Sequence, residues 1–475
     1  MRPMVSLAMI VRDEADHLDR CLGSAVDLVD DVVVVDTGST DSTREIARGR
    51  GARVIEFPWL DSFSEARNES LRRAEGGWVF WLDADEWLDD EARGRLRGLF
   101  ASLGDDETVY LMQQASDSSI HGRDQLSVTQ PRLFRNIEAV RWRYRIHEQI
   151  LDAWRVRGAA FRDSGVVIRH SGYQTAEQTR RKYERNLRLM ARDVEDNPDD
   201  PWALFQLGRG NFEERFPVAE GLFLRALGLP GATGLMSRQI YGMLARGYRE
   251  RGESARARRV VREGLSRHPG DSILLFESGC LAMGEGDLGT AGEAFGTLLD
   301  SSTDGEERLI GTYESVRGWR ARVNLASVRY REGRLDEAER QWRLALDDRP
   351  DTSAAWLGLG ELYLNQARWD DLDRAIERLR ELSPESSGSP LLLLRAQAHL
   401  AREEFPQARD VLRQLIEREP GSTDPRMLLG WSYLLEGEDL GSAERTLREV
   451  LRADPDHAEA RRGLEAIRGL RAGRI

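Results

Sequence analysis

Lysine is all but missing from this chain: Lys182 stands alone against 68 arginines in 475 residues. That imbalance reads first as a codon bias and only then as function. Cysteine is nearly as scarce. Cys21 and Cys280 lie far apart, each inside a helical pattern, which argues against a disulfide or a metal pair. Two buried core thiols are expected, and with them a reducing compartment, the cytoplasm by default. No apolar run reaches the ~20 residues that cross a bilayer, so no integral membrane segment is expected. The first residues pass straight into an apolar strand followed by acidic residues, unlike a secretion signal. Positive charge is also in deficit. A net charge of -13 argues against nucleic acid or anionic lipid as the main partner.

What remains is a globular composition, 40% hydrophobic and 32% charged, in a chain long enough for two or more domains. Its most informative stretch is WVFWLDADE, Trp78 to Glu86. The apolar run Trp78 to Leu82 reads as a strand buried on both faces, and it ends abruptly in Asp83, Ala84, Asp85 and Glu86. If the chain stays extended there, Asp83 and Asp85 point the same way and converge. Two such carboxylates repel unless a cation or a ligand's donors lie between them. Hard oxygen ligands of this kind suit Mg²⁺ or Mn²⁺ bridging to phosphates. The alternative is a solvated turn leading into a helix N-terminus.

Upstream, apolar runs at Val5 to Val11, Val32 to Val35 and Arg53 to Phe57 alternate with helical patterns. The first helix is marked by Leu18, Cys21 and Leu22. The second begins at Ile46 and Ala47, with Ser39 or Thr40 placed to cap it, and the third spans Phe63 to Ala74. Strands alternating with helices predict a mostly parallel sheet covered on both faces. Ligand sites in such sheets lie beyond the carboxyl ends of the strands, where Arg12 to Glu14, Asp36 to Asp41 and Asp83 to Asp85 all fall. Three acidic strand ends at one rim point to a nucleotide or phosphate site.

The order IVRDE, VVVDTGSTDST, FSEARNESL and WLDADEWL resembles the family 2 glycosyltransferases of the GT-A fold. It is similar in particular to a bacterial branch that carries a tetratricopeptide array behind the transferase domain. The resemblance is tight over roughly the first 90 residues and weaker to about residue 175. It implies transfer of a sugar from a nucleoside diphosphate donor with help from a divalent metal, Mg²⁺ or Mn²⁺. By the same resemblance Ile10, Arg12 and Glu14 line the base and ribose pocket, and Asp36 contacts the nucleoside while Asp41 caps the following helix. Arg67 and Asn68 form a donor-side pair, Asp83 holds the ribose or the metal, and Asp85 binds the metal bridging the diphosphate. Many members carry two successive aspartates after the second strand, whereas this chain has Asp36 then Thr37, which weakens any assignment of uracil as the base.

Further on, Val109 to Gln113 reads as a strand and Ala115 to Val128 as a polar loop over the acceptor site. PRLFRN (Pro131 to Asn136) and YRIHEQI (Tyr144 to Ile150) resemble pieces of the same branch. An inverting transferase needs a group that deprotonates the acceptor as it attacks the anomeric carbon. Behind a strand-like Trp142 to Ile146, Glu148 is the first candidate for that base, with His147 contacting the acceptor or leaving group. The plainer alternative has Glu148 paired with an arginine. His170 follows the strand-like Val166 to Ile168 in an HSGY context that resembles the family, and is the candidate third metal ligand.

From Thr175 to Asp196, Tyr183, Leu187, Met190 and Val194 recur at helical spacing, up to the stop at Asn197-Pro198. Strand-like runs then vanish. Prolines at 350, 384, 420 and 455 are 34, 36 and 35 residues apart, the tetratricopeptide period. Trp356, Leu359, Gly360 and Tyr363 fall at the expected offsets, as do Tyr241, Leu244, Ala245, Tyr248 and Ala257. Trp342, Trp356, Tyr363, Trp431 and Tyr433 read as packing residues. The predicted division is a GT-A, α/β nucleotide-sugar-binding domain over 1–174, a linker helix over 175–198, and an all-α tetratricopeptide solenoid over 199–475. The solenoid would hold about seven repeats with an insertion near 301–316. Such arrays grip peptides on their concave face, so the repeats are expected to recruit a protein or peptide acceptor or to mediate self-association in a homodimer.

The expected function is a metal-dependent glycosyltransferase, with inversion implied by the resemblance. The runner-up is an interaction scaffold whose transferase domain binds nucleotide without transferring. A nucleotidyltransferase is disfavoured, because no Gly-rich phosphate loop follows the first strand.

Overall fold

The computed structural model describes residues 4–116, 128–171, 176–232, 234–300, 315–382 and 388–472. They divide into two compact units, Met1–Glu285 with Asp300–Arg317, and Gly286–Leu299 with Gly318–Ile475.

The first unit opens with β1 (Val5–Val11), α1 (Ala15–Ala25), β2 (Asp31–Asp36), α2 (Thr43–Gly49), β3 (Arg53–Glu56), α3 (Phe63–Arg73) and β4 (Trp78–Trp81). There follow β5 (Glu86–Trp87), α4 (Asp90–Ala101), β6 (Thr108–Ser116), β7 (Val128–Arg135), α5 (Leu151–Val156) and β8 (Ala160–His170). The strands form one sheet in the order β3-β2-β1-β4-β7-β6-β8-β5. β1, β2, β3 and β4 pair in parallel, as do β6 and β8, while β7 and β5 run against their neighbours. All strands but β7 and β5 therefore point the same way, and their carboxyl ends share one edge. Strict alternation explains how both faces are covered: Leu7, Met9, Trp78 and Phe80 enter one core, and Ala8, Val79 and Trp81 enter the other.

Two local expectations are corrected. Trp142 to Ile146 is not a strand; its stretch makes a single bridge, Arg143 to Gln149, because Tyr144 (φ 70°) and His147 (φ 53°) break the extended run. The polar segment begins later than expected, since Ala115 is still in β6, and residues 117–127 lie outside the described residues. Both cysteines are free, as expected. Cys21 is buried, but Cys280 is only half-buried.

The same unit continues as helices α6 (Ala176–Asp196), α7 (Pro201–Asn211), α8 (Phe216–Leu227), α9 (Gly234–Glu250), α10 (Ser254–Arg267) and α11 (Ser272–Glu285). Their core gathers Phe205, Phe216, Phe223, Tyr241, Leu244 and Tyr248. The second unit is helical throughout its described residues, from Leu288–Asp300 and Trp319–Arg331 to Ala458–Arg471. Trp342 and Tyr363 are buried there at 2% and 5% exposure, while Trp356, Trp431 and Tyr433 pack half-buried against the cores. Pro384 and most of the insertion near 301–316 lie outside the described residues. No described helix is long and apolar enough to cross a membrane.

Gly358 shows why a small residue is needed between paired helices: a Cβ there would meet the Trp342 ring at 2.3 Å. Overpacking of this kind costs about 1–3 kcal/mol, so Gly358→Ala is expected to lower the melting temperature of the second unit by several degrees, as followed by circular dichroism. An unchanged melting curve would contradict the packing described.

Candidate active site

The turn after β4 is built around one buried ion pair. The side chains of Glu86 and Arg132 are both fully buried, and they meet two-on-two: Nη2 donates to Oε1 at 2.6 Å and Nη1 to Oε2 at 2.7 Å. The Asp83 N–H donates to Oε2 at 2.8 Å and Gln114 Nε2 to Oε1 at 2.8 Å. Burial pushes the Glu86 carboxyl up, and the Arg132 guanidinium and the Asp83 N–H oppose the rise. In return, the Glu86 N–H donates to the Asp83 carbonyl at 3.1 Å, and Arg132 lies over the Trp81 ring at 3.7 Å. The chain turns at Ala84 and Asp85 instead of staying extended. Strand geometry therefore does not make Asp83 and Asp85 converge, and the two carboxylates take different partners.

Asp83 faces Arg67, whose Nη2 donates to Oδ1 at 2.9 Å; the same guanidinium donates from Nε to Glu148 Oε1 at 3.0 Å. Arg67 is held for this by the rings of Trp81 at 4.2 Å and Trp142 at 5.5 Å. Burial pushes the Asp83 carboxyl up, yet the Arg67 and Arg132 guanidiniums outweigh it and hold the group below the usual carboxylate range. Glu148 is thus paired with an arginine, as the plainer alternative had it, but through Oε1 alone; Oε2 has no partner among the described residues. Asn68 is not brought to this rim. Its Nδ2 donates to the Trp142 carbonyl at 3.0 Å and its Oδ1 accepts the Trp142 N–H at 2.8 Å, so both polar ends are consumed in a buried clamp. His147 stands exposed nearby in sequence. Although the ring reaches solvent, the protein packed behind it, and then Arg209, lower its imidazole from 6.5 to about 4.

The first two strand ends interlock. Asp36, 1% exposed, accepts the N–H groups of Ser39 at 3.1 Å and Gly38 at 3.4 Å, and Gly38 supplies the φ of 107° that this turn requires. Ser39 Oγ accepts the Asp13 N–H at 3.0 Å, and Asp13 Oδ1 accepts the Thr40 N–H at 2.7 Å. Neither Ser39 nor Thr40 caps α2, because both are committed to Asp13. Asp41 takes the Thr43 N–H at 3.0 Å in their place. Ile10 is half-buried against Val33 and Val35, and Arg12 is exposed beside Asp13 at 3.9 Å. Glu14 is half-buried, with its N–H held by Thr43 Oγ1 at 2.8 Å. Its carboxyl is raised from 4.5 to about 7 by burial, then by Asp85 and Asp83, while Lys182, the single lysine, opposes the rise from α6.

Asp85 faces His170, Oδ2 to Nε2 at 3.0 Å, across the β5–β8 pairing in which Glu86 stands opposite His170. This carboxylate raises the imidazole above its ordinary range. Among the described residues no group of three or more His, Cys, Asp or Glu side chains is placed to hold a metal ion. The expected trio of Asp83, Asp85 and His170 is therefore not assembled, since Arg67 takes Asp83. Asp85 and His170 alone still fit an ion carried on phosphates, which asks for one or two protein carboxylates and keeps waters. Gly172 and Tyr173 of the HSGY stretch lie outside the described residues.

Sequence reasoning passed over Glu86 and Arg132. The signal was present in an arginine inside the apolar stretch PRLF and in an acidic run one residue longer than a metal pair needs, because a charge in a buried strand demands a partner.

Comparison with known proteins supplies a second line. Residues 6–165 match the model of glycosyl transferase family 2, and residues 317–390 and 393–457 match a tetratricopeptide repeat model. A TPR repeat-containing protein of Synechococcus elongatus is 36% identical over 217 residues, which cover 43% of this chain and 51% of that protein. A Rickettsia bellii protein named as an uncharacterized glycosyltransferase is 33% identical over 130 residues, 27% of this chain and 42% of that one. The SPbeta prophage-derived glycosyltransferase SunS of Bacillus subtilis is 25% identical over 221 residues, 44% of this chain and 49% of its own. The chain spans about half the length of the curated relatives it matches.

Two measurements check the electrostatics. Arg132→Met strands Glu86 in the core and is expected to destabilise the unit by about 3–5 kcal/mol in urea unfolding, with Glu86→Gln in the same chain restoring part of the loss. Glu14, with its folded pKa raised, binds more protons than the unfolded chain between about pH 4.5 and 7. Stability should therefore fall as pH rises through that window, by about 1–2 kcal/mol once solvent screening of a half-exposed group is counted, and Glu14→Gln should flatten the fall.

Proposed function

We propose that this chain, in which a family 2 glycosyl transferase domain is joined to tetratricopeptide repeats, transfers a sugar from a nucleoside diphosphate donor to an acceptor. The observation that carries the reading is the meeting of Arg67, Asp83 and Glu148 beside Asp85 and His170 at the carboxyl ends of the strands. Carboxylates brought to one rim and partly shared by a single guanidinium suit a ligand that carries hydroxyls, phosphates and its own cation.

In this reading the nucleoside lies over the loops that Asp36 and Glu14 organise, and Asp83 receives the ribose. Mg²⁺ or Mn²⁺ on the diphosphate, held by Asp85 and His170, would supply Lewis-acid stabilisation of the departing nucleoside diphosphate. Glu148 accepts the proton of the acceptor through Oε2, the oxygen Arg67 leaves open, as the acceptor attacks the anomeric carbon. Attack opposite the leaving group gives inversion. Arg67 fixes Asp83 and Glu148 in place before substrate arrives, so little reorganisation is needed in the transition state. Residues 1–174 form the catalytic part, 175–198 the linker, and the repeats of 199–475 recruit a protein or peptide acceptor or a second copy of the chain.

The test is calorimetric titration with a panel of nucleoside diphosphate sugars, with and without Mn²⁺. One donor is expected to bind in a metal-dependent way, and Asp85→Asn is expected to abolish that dependence while leaving the melting temperature little changed. Binding of no donor would leave the interaction scaffold as the better reading. Glu148→Gln should keep donor affinity within about twofold and lower transfer by about 10²–10⁴; equal loss of both would remove Glu148 from the base role.

A further inference from the structure

The stretch from Trp142 to Ile150 carries Glu148 to Arg67, yet one bridge, Arg143 to Gln149, is its only ladder pairing among the described residues. Two of its residues, Tyr144 at φ 70° and His147 at φ 53°, hold a left-handed backbone that non-glycine residues keep only where the surroundings impose it. Some of that imposition comes from α3 and the residue at its start. Asn68 clamps both backbone groups of Trp142, and the Phe63 N–H donates to the Arg145 carbonyl at 2.8 Å.

The rest comes from the first two helices behind the sheet. Asp193 of α6, 7% exposed, accepts the Arg145 N–H at 3.1 Å and 3.0 Å. Asp196 takes the Arg145 guanidinium, from Nε at 3.1 Å and Nη2 at 2.6 Å. Asp200, whose Oδ1 caps α7 by accepting the Trp202 and Ala203 N–H groups, accepts the Tyr144 hydroxyl at 3.0 Å and is reached by Arg143 at 3.4 Å. Ile146 is buried against Leu189 and Met190 of α6. Three consecutive residues, Tyr144, Arg145 and Ile146, are thus gripped from α6 and the cap of α7, and Glu148 lies two residues beyond.

We propose that α6 and the cap of α7 hold the base-bearing segment in its working conformation, with Asp193 and Asp200 as positioning residues, so that the linker helix and the start of the first repeat helix are part of the active site. This rests on the role given to Glu148 above, but its structural half stands without it. A change in the first repeat helices, such as acceptor binding or docking of a second copy, then reaches Glu148 through two hydrogen-bonded carboxylates. Deleting the repeats would confound recruitment with catalysis, because it would also remove Asp200.

The experiment uses the full chain and hydrogen exchange read by mass spectrometry over residues 142–150. Asp193→Ala and Tyr144→Phe are chosen because the second removes one hydroxyl and leaves the α7 cap intact. Exchange in 142–150 is expected to quicken at least tenfold in both variants while peptides of β1 to β4 keep their protection. Transfer turnover is expected to fall about 10–100-fold with donor affinity held within twofold, and Asp193→Asn, which keeps an acceptor oxygen for the Arg145 N–H, is expected to recover most of it. Unchanged exchange in 142–150 in both variants overturns the proposal. If Asp193→Ala exchanges faster everywhere, Tyr144→Phe alone decides. Quickened exchange in a chain that turns over no donor supports the grip and counts against the transferase reading, so the two failures are told apart.

Discussion

The ion pair of Glu86 and Arg132 is the constraint on which the site depends. Removing two charges from water is costly, and only near-complete satisfaction of both oxygens makes such a pair tolerable inside a sheet. That satisfaction fixes geometry. By accepting the Asp83 N–H, Glu86 closes the turn after β4, and by standing opposite His170 in the β5–β8 pairing it places that imidazole beside Asp85. Arg132 in turn stacks on Trp81, whose ring also supports Arg67. One buried pair thus sets the positions of Asp83, Asp85, Arg67 and His170.

Around that frame negative charge is managed unevenly, and the unevenness is chemically useful. Asp83 and Glu148 share one guanidinium. Asp85 leans on an imidazole, a partner that can be given up to a cation. Glu14 has no ion pair among the described residues and is left to burial and its acidic neighbours, which is why its proton is held to about pH 7. A ligand bringing a cation and hydroxyl groups would relieve the last two groups without disturbing the first.

Much of this was legible in the sequence, for identifiable reasons. The alternation of apolar runs with helical spacing gave the sheet, its dominant direction and the rim where acidic residues gather, because strand burial and helix faces are written in local periodicity. Arg67 and Glu148 were singled out individually, yet their meeting was invisible: 81 positions separate them, and no local pattern encodes that pairing. Trp142 to Ile146 looked extended by composition, and the left-handed Tyr144 and His147 are imposed by partners on α3 and α6, which propensity does not report. Asn68 carried the right residue type for a ligand contact and is instead spent on the backbone of Trp142. For the acidic run the sequence leaves an extended continuation and a turn both open, and a glutamate folding back on the Asp83 N–H decides for the turn.

The two margins of the sheet bear on how this molecule meets copies of itself. One ends in β5, only two residues long, and the other in β3, four residues with Arg53 and Glu56 exposed at its ends. Short margins with charged ends make poor templates for an incoming strand. Growth of the sheet from chain to chain is thereby discouraged, which matters for a sheet that carries the run Val32 to Val35 in β2, next to the β3 margin. Copies that meet at these margins would do so through side chains and not through open backbone.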